Sequence, residues 1–127
     1  MEELINELRK QSEKIVPECN RGIFEQLLKD QKSLICLPIS FTIVSALEKP
    51  SMVICDTPVP YVSMDSIVSI INDLPEHIRG HVIRNVSLLS TRGTELLCAL
   101  NSNYTLESAS ETIEKEKAAL LSEVPKL

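Results

Sequence analysis

His77 and His81 stand four residues apart in the run EHIRGHVIRN. On an α-helix that spacing puts both rings on one face, where two imidazoles could share a metal ion. A third ligand would have to come from Cys55, Asp56 or Glu76 converging in space. The zinc-protease pattern needs a Glu directly after the first His. Here Ile78 follows His77 and Glu76 precedes it. Both histidines flank an apolar stripe and read as solvated or interface-edge residues. They are weak metal candidates, and the expectation is no metal and no cofactor.

The four cysteines are Cys19, Cys36, Cys55 and Cys98. They form neither the C-x2-4-C pairs of a zinc site nor the C-x-x-C of a redox site. Each has apolar neighbours, which predicts reduced, buried, core-filling thiols and a reducing compartment, cytoplasm or nucleus. Cys55, next to Asp56, is the one that could act as a nucleophile with a histidine base. The chain has three glycines, Gly22, Gly80 and Gly93, too far apart for G-x-G-x-x-G, a P-loop or G-x-S-x-G. The carboxylates Glu2, Glu3, Asp65, Glu107 and Glu111 read as helix-capping or solvated residues. No catalytic residue is assigned.

The element that would position the histidines is the run from Asp73 to Asn101. Ile78, Val82, Val86, Leu89, Gly93, Leu96 and Leu100 recur at steps of three or four, the period of one helical stripe. Asp73 can cap it and Pro75 suits its first turn. A continuous helix over 73–101 would be about 40 Å long. Ser90–Thr94 is the place where it would break. Thr105 can cap a last helix over 105–123, with Leu106, Ala109, Ile113, Leu120 and Val124 on one side, and the two would form a helical hairpin. Pro125–Leu127 reads as a loose end.

Earlier in the chain, helices are expected over 2–16, with Leu4, Leu8 and Ile15 in step, and over 21–31, with Ile23, Phe24, Leu27 and Leu28. Residues 34–56 change character. Ile39, Phe41 and Ile43 alternate with Ser40 and Thr42, the pattern of a half-buried strand. A turn at Glu48–Ser51 and a second strand over Met52–Cys55 would complete a β-hairpin. The competing reading is a buried helix from Pro38 to Leu47. Thr57–Tyr61, with Pro58 and Pro60, reads as a stiff linker without regular structure. Ser63 can cap a short helix over 64–71. The fold expected is mainly α with a small β-hairpin, as a single domain over 1–127 with a C-terminal helical part over 63–124; the alternative is an all-α bundle.

The 127 residues carry a net charge of −5, 43% hydrophobic residues and 3% aromatic residues, with no Trp. Such a chain lacks the basic tracks and stacking platforms of a nucleic-acid binder and the basic face of an anionic-membrane binder. No stretch reaches the ~18 apolar residues of a membrane span. The opening MEELINELRK is charged and unlike a signal peptide. Asn85-Val-Ser and Asn103-Tyr-Thr match the glycosylation pattern and read as chance.

What remains is surface for partners. The first and last helices carry narrow apolar stripes near the heptad period, typical of helix pairing. The expected function is therefore a non-enzymatic subunit or adaptor in a homo- or hetero-oligomer. Its interface candidates are Leu4, Leu8, Ile15, Ile113, Leu120 and Val124. The alternative is a small metal- or cysteine-dependent enzyme or regulator using His77, His81 and a cysteine. An effector acting on host proteins through a helical fold is a third reading, which differs from the first only in its partner.

Overall fold

Val82, Val86, Leu89 and Leu96 are fully buried, so the stripe along the 73–101 run faces inward. The run is nevertheless two helices and not one. The computed structural model describes residues 2–48, 52–54, 57–59 and 62–122. In it, α5 spans Glu76–Leu89 and α6 spans Gly93–Leu100. The single 73–101 helix is thus corrected to a pair joined by Ser90–Arg92. Asp73 ends the preceding helix, and Pro75 occupies the cap position of α5. Two features account for the break. Gly93 lies so close to the Ser87 carbonyl that any side chain would overlap it. Glu48 also binds the turn: its Oε1 accepts from the Ser90 hydroxyl at 2.7 Å, the Thr91 amide at 2.7 Å and the Thr91 hydroxyl at 3.0 Å. The Thr91 amide, which leaves the helical ladder at this turn, is thereby satisfied from the end of α3.

The second correction concerns 34–56. The expected strand through Ile39, Phe41 and Ile43 is not formed, nor is the hairpin built on it. Residues Gln31–Glu48 are an 18-residue helix, α3. Leu34, Leu37, Phe41 and Val44 recur at helical steps and are buried, together with Cys36, Ser40, Ile43 and Leu47. Pro38 sits in the helix interior on its exposed side. Hydroxyls bond back along the same helix, Ser40 to the Cys36 carbonyl at 2.8 Å and Thr42 to the Pro38 carbonyl at 3.2 Å. The alternation is a by-product of a helix apolar on several sides, a case where tertiary packing overrides local β-propensity. A different and shorter pairing occurs downstream. The backbone of β1 (Met52–Ile54), within the expected second strand, runs antiparallel to β2 (Thr57–Val59), Met52 opposite Val59, and β2 falls in what read as an unstructured linker. Lys49–Ser51, Cys55, Asp56, Pro60 and Tyr61 lie outside the described residues.

The remaining elements are helical, and among the described residues the chain is predominantly so. α1 covers Glu2–Ile15. A single 3-10 turn over Glu18–Asn20 leads into α2, Arg21–Leu27, which stops short of the expected residue 31. Asp30 ends that stretch by capping α3: its carboxylate accepts from the Lys32 amide and the Ser33 hydroxyl, both at 3.1 Å. α4 is Met64–Asn72, capped by Ser63, and α7 is Leu106–Ser122, capped by Thr105. α3 lies along α5, α1 lies on α3, and α6 with α7 makes the C-terminal hairpin. One cluster of buried side chains draws on all seven helices, from Leu8 in α1 to Leu120 in α7. No helix among the described residues is long and apolar enough to cross a membrane.

Two buried asparagines tie this packing together. Asn85, with no exposed surface, donates to the Ser33 carbonyl at 3.1 Å and to the Ser40 hydroxyl at 3.2 Å. Ser33 and Ser40 are two helical turns apart, so one side chain fixes α5 along α3. The same burial keeps Asn85 from any glycosylating enzyme in the folded state. Asn20 donates to the Leu89 carbonyl at 2.9 Å and accepts from Lys117 at 3.0 Å, joining α5 and α7 across the start of α2.

Candidate functional site

The histidines are carried by the first turns of α5. His77 is exposed and His81 half-buried. Among the described residues, no three His, Cys, Asp or Glu side chains gather where they could hold a metal ion. The two rings share a helix face, and Cys55 and Asp56, two of the candidates for a third ligand, lie outside the described residues. The described cysteines are free thiols in three different settings. Cys36 is buried on α3, where burial and then the charge of Asp30 push its thiol pKa up, away from the reactive thiolate. Cys98 is half-buried. Cys19 is exposed, a correction to its expected place in the core.

The interface candidates divide in the same way. Leu8, Ile113 and Leu120 are 2%, 6% and 5% exposed and belong to the chain's own core, so they are not free to meet a partner. Their narrow stripes pair within the chain. Leu4 is 38% exposed, Ile15 is half-buried, and Val124 lies outside the described residues.

Leu4 and Ile15 belong to α1, and α1 borders an apolar strip of α3 that the core leaves open. On α3, Ile35 is 63% exposed and Ile39 is 37% exposed. Ile35, Ile39, Thr42 and Ala46 follow steps of four, three and four, with Pro38 beside them, so they form one face. That face carries no charge, because no charged residue occurs between Lys32 and Glu48. Between it and α1 lies a groove of about 360 Å³, walled by Gln11 and Ile15 on one side and by Pro38, Phe41, Thr42 and Ala46 on the other. The floor is firm: Phe41 is buried and its ring meets Phe24 at 5.6 Å between centroids. A helix hydrophobic on every side is normally covered on every side. α3 is covered by α5 and α1 and open on its third.

Ile35, Pro38 and Ile39 do not stand out as a helical face in the sequence because the alternation from Ile39 to Ile43 reads as a strand. The signal was present all the same: a run of 33–47 without a charge is too apolar for a helix with only two neighbours. A comparison with protein-family models, curated proteins and solved structures finds no match to this chain.

Proposed function

We propose that this protein is a non-catalytic assembly subunit that binds another protein chain through the groove between α1 and α3. The observation that carries the reading is the uncharged, exposed face of α3, with Ile35 63% exposed beside Ile39. Scattered apolar residues are ordinary on a protein surface, but a contiguous strip over a rigid floor is the form that protein partners use. The groove runs between two helices, which suits a third helix laid against them. Its lining holds no Cys, His, Asp or Glu side chain.

The test is site-specific photo-crosslinking in the cell of origin. A crosslinking residue at position 39 is expected to capture a protein, while one at position 114, on the exposed side of α7, captures none above background. Equal yields at the two positions would remove the support for this face.

A further inference from the structure

Glu3, Glu7, Lys10 and Lys14 recur along α1 at steps of four, three and four. They form the row next to Leu4, Leu8, Gln11 and Ile15, on the side away from the core residues Ile5, Ser12 and Val16. All four are exposed, and among the described residues none of them makes an ion pair. Gln11, a wall of the groove, donates to Glu7 at 3.5 Å, which places Glu7 at the groove's rim, and helical spacing carries the rest of the row along it. The rim is acidic in its first half and basic in its second.

From this pattern we propose, resting on the reading of the groove as a protein-binding face, that the occupant is a second copy of the chain. The two copies are related by a two-fold axis perpendicular to α1, so that the α1 helices run antiparallel and the α3 faces cover each other. In that arrangement Glu3 stands opposite Lys14 of the other copy, and Glu7 opposite Lys10. Both pairs share one midpoint, between Leu8 and Arg9, so a single axis satisfies four ion pairs. A parallel arrangement sets Glu against Glu and Lys against Lys, which is repulsive. The chain as a whole, at −5, repels its copy, but this rim is neutral and complementary to its own reverse. A two-fold interface requires such self-complementarity. Rim charges of this kind fix register and orientation, while the apolar strip supplies the burial.

The experiment uses the full chain and two rim variants, Lys10→Glu with Lys14→Glu, and Glu3→Lys with Glu7→Lys, each checked for retained helicity by circular dichroism. In sedimentation equilibrium the wild type is expected to be dimeric. Each variant alone is expected to dissociate, its dimer dissociation constant rising by more than about tenfold. An equimolar mixture of the two is expected to associate again, as a heterodimer that weakens with added salt. Ile39→Glu, on the apolar strip, is expected to give a monomer. A monomeric wild type at high micromolar concentration overturns the proposal, as do variants that dimerise like the wild type or fail to associate when mixed. If the wild type is monomeric and position 39 still captures a different protein, the second copy is wrong and the groove reading stands. If position 39 captures neither, both are wrong.

Discussion

Gly93 lies against the backbone carbonyl of Ser87, closer than any side chain would allow. This approach lets α6 turn back on α5 while Leu89 and Leu96 stay in the same core. Gly93→Ala would force the turn apart and is expected to destabilise the protein by about 2–4 kcal/mol, in the range of strained or overpacked core changes. Gly80, inside α5, is the control. Nothing lies within 4 Å of the position a Cβ would take there. Gly80→Ala is expected to stabilise by about 0.5–1 kcal/mol through helix propensity. Urea denaturation of both variants gives the two signs, and equal signs would contradict this account of the break.

The Glu48 carboxylate holds the same turn from the end of α3. It receives the Thr91 amide and the hydroxyls of Ser90 and Thr91. Glu48→Ala is expected to cost about 1–3 kcal/mol, the range for hydrogen bonds to a charged group. Glu48→Gln, which keeps an acceptor oxygen, is expected to cost less. Hydrogen exchange localises the effect: the Thr91 amide should exchange faster in the alanine variant, with α7 amides unchanged.

Asp30 predicts an acid limb of stability. Burial pushes its carboxyl pKa up. The Ser33 hydroxyl, the Lys32 and Ser33 amides and the Arg84 guanidinium outweigh that and hold it below the usual carboxylate range. A lowered folded pKa means the contribution is complete above the unfolded value of about 3.9 and is lost as pH falls through the folded value. The side chain is 41% exposed and its Arg84 contact, at 3.3 Å, is partly screened, so the contribution at pH 7 is under about 1 kcal/mol. Asp30→Asn should be less stable than wild type at pH 7, with the gap closing below about pH 4. A gap independent of pH would assign the loss to the capping geometry and not to the charge.

The thiols should react in order of exposure. Cys19, which is exposed, should be alkylated in the folded protein. Cys36, buried and with its pKa raised, should react only as the protein unfolds. Mass spectrometry of alkylation against time, with and without urea, separates the two. Early modification of Cys36 in the absence of urea would contradict the packing of α3.

The inward stripe from Val82 to Leu96, the Ser63 and Thr105 caps and the helical nature of α1 and α7 were legible in the sequence. Each depends on spacing within one segment, and spacing is what a sequence carries. The break after Leu89 was marked by Gly93, but the Glu48 carboxylate that also holds the turn comes from far away in the chain and was not legible. Residues 34–47 satisfied the period of a strand and of a helix at once. Their helical form was settled by Asn85, which reaches two hydroxyl-bearing residues two turns apart, and by the neighbours α5 and α1. Which stripes are spent on the core and which remain open was not legible at all. Leu8, Ile113 and Leu120 read as stripes open to a partner yet are buried, and Ile39 read as part of a half-buried strand yet is exposed on α3. Burial is a property of pairs of elements, and periodicity describes only one element at a time.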